Sequence, residues 1–169
     1  TARLLLDRLD SVAFPRHGWN ASVNLYNSST SLGADSSYGR WDAEGVAAVT
    51  YGNHTFNFGM KFGGPTSADP LPVYNQFQWG GFLQQSGFKT GQLYGEKLGF
   101  GRMMYYHRIM RGTFLEGAYG GFSLEAGKVS NPLVPGSPDG LLKSGSLFIA
   151  SDTPLGPAYL GYGRAQGGF

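Results

Sequence analysis

Few residues in this sequence are suited to acid–base or metal chemistry, and they are widely spaced. The three histidines, His17, His54 and His107, lie a strand length or more apart, and no pair of histidine, aspartate or glutamate has metal-ligand spacing. No serine lies in a GxSxG nucleophile elbow. We therefore predict that this chain is not an enzyme and binds no cofactor and no metal. The acids that remain candidates for a hydrolytic pair are Asp7, Asp10, Asp42, Glu44 and Glu125.

The composition excludes several classes of protein. Charged residues are 14% of the chain, aromatic residues are 15%, and glycine occurs 28 times. A soluble surface normally carries more charge, so much of this surface is expected to face something other than water. The net charge of +2 is too small to indicate nucleic-acid binding, and the lack of cysteine excludes disulfides and thiolate metal sites. No apolar run is long enough for a transmembrane helix.

Most of the chain alternates between apolar and polar residues, which predicts β-strands with one apolar face. The clearest pattern is residues 54–62, where His54, Phe56, Phe58, Met60 and Phe62 alternate with polar residues or glycine. Similar patterns begin at Trp19 and Trp41 and follow residues 114 and 142. In residues 96–109 both alternating sets contain apolar residues, so the facing is ambiguous, and a β-bulge is one explanation.

The connections between the predicted strands alternate in length. Short turns are predicted at residues 14–18, 52–53, 111–112 and 153–157, and long loops at 27–37, 63–92 and 130–140. Short turns at one end and long loops at the other are typical of an outer-membrane β-barrel, whose polar faces line the lumen and whose aromatic faces meet lipid. A soluble barrel of the lipocalin or streptavidin kind is the alternative, but its charges should face outward, and these polar faces carry too few.

One stretch, residues 74–92, breaks the alternation. Its sequence, YNQFQWGGFLQQSGFKTGQ, has neither a helical nor a strand period, yet it is too apolar for an ordinary solvated loop. We expect a long connection that folds back against another part of the protein.

Several motifs together resemble a known family. These are FPRHG, GGFLQQSGF, FSLEAGKV and the run SGSLFIASDTPLGPAYLGYGRA. Their order resembles the C-terminal half of the bacterial surface antigen superfamily of outer-membrane barrels, which includes insertases and two-partner translocators. The variant GGFLQQSGFKTGQL, followed by LGFGRMMYYHR, is most similar to the barrel of patatin-like phospholipase autotransporters.

The resemblance implies an all-β, antiparallel transmembrane barrel, of which this chain supplies about eight strands. The family barrel has 16 strands, so residues 1–169 would be the C-terminal half, and a second copy or further strands of the same polypeptide would complete it. The family normally adds one more strand that ends in an aromatic residue. Either Phe169 imitates that terminal aromatic residue, or the last strand follows Phe169. Because the chain starts at Thr1 without a signal peptide, we expect a processed product or a fragment.

The resemblance also places an extracellular loop, residues 63–92, in the barrel lumen. In the family an arginine of this loop contacts acids on the inner wall, but Ser86 stands at that position here. Lys89 is the alternative cation: it either pairs with one of the candidate lumen acids Asp42, Glu44 and Glu125 or stays solvated. The predicted lumen-loop residues are Trp79, Gly80, Gly81, Phe82, Ser86, Gly87, Phe88 and Lys89.

The predicted function is that of a bacterial outer-membrane translocator or anchor that assembles or exports a passenger, for which a patatin-like lipase domain is one candidate. The alternatives are a passive pore or a small ligand-binding barrel, and, in another class, a phospholipase active within the barrel. The expected partners are outer-membrane lipid, the remaining strands or a second copy as a homodimer, and a passenger domain, with no nucleic acid. His54 and His107 are expected to anchor the barrel at the membrane interface.

Overall fold

The structure is a computed structural model that describes residues 1–67, 69–110, 117–132, 138 and 140–167. Two short 3-10 turns, Thr30–Leu32 and Val73–Asn75, accompany the strands. No helix in the described ranges has the length and apolar character needed to cross a membrane. The strands are β1 (Ala2–Asp7), β2 (Gly18–Ser28), β3 (Tyr38–Tyr51), β4 (His54–Pro65), β5 (Phe77–Trp79), β6 (Leu93–Met110), β7 (Gly117–Pro132), β8 (Leu142–Thr153) and β9 (Gly156–Ala165).

The strands form one antiparallel sheet in the order β1-β2-β3-β4-β6-β7-β8-β9. The short strand β5 pairs with the start of β6, beyond the point where β4 ends. This arrangement confirms the prediction of an all-β antiparallel fold. Within the described residues the sheet is open, because β1 and β9 each pair on one side only. Closure into a barrel and a total of 16 strands therefore stay predictions.

The two faces of the sheet differ as the alternation predicts. Phe58 and Met60 are 48% and 56% exposed on what we call the outer face, while their neighbour Asn57 is buried on the other. Two connections lie against that other face, which we call the covered face. Ser22 and Ser123 are buried on the same face as Asn57. An apolar outer face and a polar covered face are the pattern that lipid on one side and a lumen on the other require.

Strand β6 explains the ambiguous facing of residues 96–109. Phe100, Met104 and Tyr106 are buried on the covered face, where the two connections pack against them. Tyr105 and its outer-face neighbours are apolar as well, so both alternating sets contain apolar residues. A register irregularity does occur, but only near the end of the strand, between Arg108 and Met110.

Several predicted boundaries were wrong. The loop predicted at 63–92 begins only after Pro65, because β4 continues to pair with Arg40 of β3. The turn predicted at 14–18 is the end of a ten-residue connection, 8–17. The loop predicted at 27–37 begins after Ser28, and β7 extends to Pro132. The tight turns after Tyr51 and Thr153 are confirmed. The predicted turn at 111–112, most of the loop at 130–140, and Phe169 lie outside the described residues.

Two further interpretations of the sequence were wrong for physical reasons. Residues 74–92 were expected to hold no strand, yet Phe77–Trp79 pairs with β6, because a three-residue strand is too short to show a period. The spacing of the histidines along the sequence predicts that they do not meet, whereas the register of β4 and β6 places His54 directly opposite His107.

Candidate functional site

The connection between β4 and β6 turns onto the covered face after Trp79. Gly80 and Gly81 both have positive φ, 116° and 117°, and a Cβ at Gly80 would lie 2.6 Å from the Lys89 carbonyl oxygen. Only glycine accommodates such a backbone without strain. Residues 80–92, which we call the inward segment, therefore leave the β5–β6 ladder and lie across the sheet.

A buried carboxylate of the sheet wall holds the tip of the inward segment. Glu125 of β7 is 4% exposed. Its Oε2 accepts the backbone N–H groups of Gln85 and Ser86 at 2.9 Å and 2.5 Å, and its Oε1 accepts the Ser86 hydroxyl at 2.8 Å. The hydroxyls of Ser123 and Ser144 also donate to this carboxylate. Five donors thus satisfy a buried charge, three of them from the inward segment.

A half-buried cation contacts the same tip from the adjacent strand. Arg102 of β6 donates from Nη1 to the Leu83 carbonyl oxygen at 3.0 Å and from Nη2 to Asn57 Oδ1 at 3.4 Å. Leu83 and Gln85 have positive φ angles of 62° and 80°, which are strained for residues with a Cβ. The bonds to Arg102 and Glu125 stabilise this backbone, so the sheet wall imposes the shape of the tip.

Apolar contacts seat the rest of the inward segment. Phe88 and Trp79 are buried in one cluster with Phe100, whose ring centroid lies 4.8 Å from that of Trp79. At Gly87, a Cβ would lie 2.3 Å from the backbone nitrogen of Ala165, so the segment approaches β9 more closely than any side chain would allow. The inward segment is therefore packed as a part of the protein core.

The connection between β1 and β2 covers the same face from the opposite end of the strands. Phe14 is buried, stacked on Tyr119 at 4.4 Å between ring centroids, and Tyr106 donates its hydroxyl proton to the Pro15 carbonyl oxygen. Leu83 of the inward segment belongs to the same apolar cluster as Phe14. A cavity of about 490 Å³ remains beside Leu83 and Arg102. The two connections meet in the middle of the covered face.

The predicted lumen acids have different surroundings. Glu125 binds the inward segment, as described. Asp42 accepts a hydrogen bond from Asn24 at 2.7 Å and lies 3.8 Å from Arg40. Glu44 binds Lys61 at 3.1 Å and the Ser22 hydroxyl at 3.2 Å. The bonds shown for these two acids run along the sheet and do not reach the inward segment.

The other predicted residues of the loop are also placed by the structure. The ring of Phe82 is 40% exposed and lies edge-on to Phe148. Ser86, at the position where the resemblance implies an arginine, contacts an acid of the wall through its own hydroxyl and backbone N–H. Lys89 is exposed, and its backbone N–H donates to Gln92 Oε1. An ion pair between Lys89 and a lumen acid stays a prediction.

Sequence reasoning missed Arg102 and Asn57. Asn57 was assigned to a polar face without a partner, and Arg102 lies in the strand of ambiguous facing. One signal was present for Arg102: at the middle of a membrane strand, an arginine on the lipid face costs about 2–4 kcal/mol. That cost alone predicts that Arg102 lies on the covered face. Phe100 and Met104, which share its face of β6, then lie there too.

Comparison with known proteins gives a family. The Omp85 superfamily domain matches residues 1–164, whereas no curated protein matches the chain. Members of this family are bacterial outer-membrane proteins, and their domains are translocation and assembly barrels, generally without enzymatic activity. The open antiparallel sheet with an apolar outer face agrees with a section of such a barrel. Because the match covers nearly all of the 169 residues, the chain belongs to the Omp85 superfamily.

Proposed function

We propose that this chain forms part of the wall of an outer-membrane barrel that exports or assembles a polypeptide, and that the inward segment closes its lumen. The observation that carries this proposal is the buried Glu125, which binds the tip of the segment through three hydrogen bonds. Hydrogen bonds to a charged group contribute about 1.5–3 kcal/mol each, so together they can hold the segment inside the lumen.

The edges of the sheet define the first set of partners. Strands β1 and β9 each present one unpaired ladder edge within the described residues. In a bilayer every unpaired N–H or C=O group costs several kcal/mol, so other strands must cover both edges. We propose that further strands of the same polypeptide, or a second copy of this chain, supply them and complete a 16-stranded barrel. The exposed outer face then contacts lipid.

The mass of the assembly in detergent distinguishes these two sources of strands. A second copy gives a homodimer of this chain, and strands from one longer polypeptide give a monomer. Migration in a gel before and after boiling provides the check on closure, because a closed barrel that stays folded in detergent migrates differently once it unfolds. A chain that is soluble without detergent and shows no such shift would contradict the barrel itself.

We further propose that the passenger is a patatin-like phospholipase domain. The support is the similarity of GGFLQQSGFKTGQL and LGFGRMMYYHR to the barrels of patatin-like autotransporters. The upstream coding region tests this directly. A patatin-like domain with a GxSxG motif is the expected result, and an unrelated upstream domain would refute the choice of passenger but not the translocator.

Conductance across a planar bilayer tests the closure. Trp79 and Leu93 are paired across β5 and β6, so an Asn-Gly turn replacing residues 80–92 should join them as a tight hairpin. We expect the purified protein to conduct rarely and the shortened variant to conduct in large, stable steps. The control is Glu44→Gln. It removes a charge from the covered face at a residue whose bonds do not reach the inward segment. Equal conductance of the unaltered and shortened proteins would favour a passive pore.

A further inference from the structure

Two histidines face each other on the outer face of the sheet, away from the inward segment. His54 begins β4, His107 lies near the end of β6, and the register pairs them directly. Their ring centroids are 4.6 Å apart and the ring planes differ by 49°. The neighbouring pair, Asn53 and Arg108, is hydrogen-bonded through the Arg108 N–H. In an antiparallel ladder the next pair is then of the non-hydrogen-bonded kind, in which side chains approach most closely.

The surroundings leave imidazole nitrogens available. His54 Nδ1 lies 2.7 Å from the Tyr105 hydroxyl. When Nδ1 donates to that oxygen, the lone pair of Nε2 stays free to bind a metal. Metal-binding histidines are usually held in this way, with the second ring N–H donated to an outer partner. His107 Nδ1 is buried and has no hydrogen-bond partner among the described residues. A buried nitrogen without a partner carries a desolvation cost that a bound cation would offset.

We propose that His54 and His107 form a two-histidine site for a divalent transition metal of the Cu²⁺ or Zn²⁺ class. Imidazole nitrogen suits both ions, and Cu²⁺ is the stronger binder in the usual affinity order. Metal–nitrogen bonds of about 2.0–2.1 Å require the two ligand nitrogens to lie roughly 3 Å apart. Ring centroids 4.6 Å apart are compatible with that separation. No cluster of three or more candidate ligands occurs in the described residues, so water completes the coordination shell.

The position in the fold makes the site rigid and open to water. The pair lies beside the two-residue turn that follows Tyr51, at the end of the sheet where the short turns occur. In outer-membrane barrels that end faces the periplasm. His54 is exposed and His107 half-buried, so an ion can enter from the membrane–water boundary. Two adjacent strands of a continuous ladder hold the ligands, and little order has to be gained on binding.

Titration of the detergent-extracted protein with CuCl₂ and ZnCl₂ tests the proposal, using a purification tag without histidine. We expect one equivalent of Cu²⁺ per chain, and an electron paramagnetic resonance spectrum with two coordinated nitrogens. His54→Gln and His107→Gln should each weaken binding by at least about tenfold, since even outer-shell partners contribute 10- to 100-fold. The double variant should bind more weakly than either single one, but by less than the product of the two single losses, because the first substitution already removes the chelate.

The matched control is His17→Gln, which removes the remaining histidine from the connection between β1 and β2. It should titrate like the unaltered protein. Migration before and after boiling verifies that each variant is folded. Binding that is unchanged in His54→Gln and His107→Gln, or a spectrum with a single nitrogen, would overturn the assignment. Tyr105→Phe, which removes an outer-shell partner, should weaken binding by about 10- to 100-fold, and a complete loss would instead place the hydroxyl in the metal shell.

Discussion

Replacement of Glu125 by glutamine removes the charge that holds the inward segment while keeping the shape of the side chain. The new amide NH₂ fits best at the Oε1 position, where both partners, Ser86 and Ser123, are hydroxyls that can accept a hydrogen bond as well as donate one. The amide oxygen then keeps the Oε2 position and its bonds from the Gln85 and Ser86 backbone N–H groups. The substitution therefore keeps the two backbone N–H bonds but takes the acceptor of the Ser86 hydroxyl proton away, whereas the Ser123 hydroxyl can donate to Ser146 instead.

The expected loss is about 2 kcal/mol. A hydrogen bond to a charged group contributes about 1.5–3 kcal/mol, and one between neutral groups about 0.5–1.5 kcal/mol. Each of the two backbone bonds to Glu125 should thus lose about 1 kcal/mol. A difference of 2 kcal/mol corresponds to about a 30-fold larger population of the released segment, since each 1.4 kcal/mol is tenfold.

Hydrogen exchange followed by mass spectrometry measures this population. Peptides spanning residues 80–92 should exchange about 30-fold faster in Glu125→Gln, because exchange there reports local opening. The strands β2, β3 and β4 should be unaffected. Glu44→Gln is the control, since its carboxylate binds Lys61 and Ser22. Unchanged exchange in Glu125→Gln, or equal acceleration in both variants, would refute the assignment of Glu125 as the anchor.

Two substitutions, each with a matched control, test the packing. Gly87→Ala should release the inward segment, because its Cβ would lie 2.3 Å from a backbone nitrogen. The control is Gly91→Ala, which is also at positive φ but has no atom nearer than 3.6 Å to the new Cβ. It should cost only about 1 kcal/mol of backbone strain. Phe14→Ala should lower the free energy of unfolding by about 3–5 kcal/mol, whereas Val12→Ala, 96% exposed in the same connection, should leave the thermal midpoint unchanged.

The fourth test concerns pH. Burial raises the pKa of Asp10, but hydrogen bonds from the His17 and Arg16 N–H groups outweigh it and hold that pKa below its ordinary value of 3.8. The stabilisation is therefore complete above pH 3.8 and lost as the pH falls through the lowered pKa. Asp10→Asn should remove this acid-dependent loosening of residues 8–17, which hydrogen exchange at several pH values measures.

The sequence predicted the strands because two different environments act on them. Phe58 and Phe62 lie on the outer face and Asn57 and Lys61 on the covered face. The alternation of apolar and polar residues is therefore enough to predict the strand and its two faces. The same rule fails where the covered face is itself apolar. Phe100 packs against Trp79 of the connection, and no local pattern in β6 shows that a distant segment will lie there.

Pairs that depend on register were beyond sequence reasoning for a different reason. His54 and His107 are 53 residues apart, and they meet only because the pairing of β4 and β6 extends without a bulge from Leu98 to His107. A shift of one residue would turn one of the two rings to the covered face. The same dependence applies to Arg102 and Asn57, whose hydrogen bond joins β6 to β4.

The anchor of the inward segment shows what the resemblance could and could not predict. An arginine at position 86 would bind an acid through its side chain, and such a buried ion pair must offset the desolvation of two charges. With Ser86, the segment brings no charge of its own to Glu125, and two of its three bonds come from backbone N–H groups. The identity of residue 86 then matters less than the backbone conformation that presents these groups. The strained φ of Gln85 and the close approach of Gly87 to β9 set that conformation. The anchor therefore depends more on the wall and on glycine than on the residue that the family resemblance singled out.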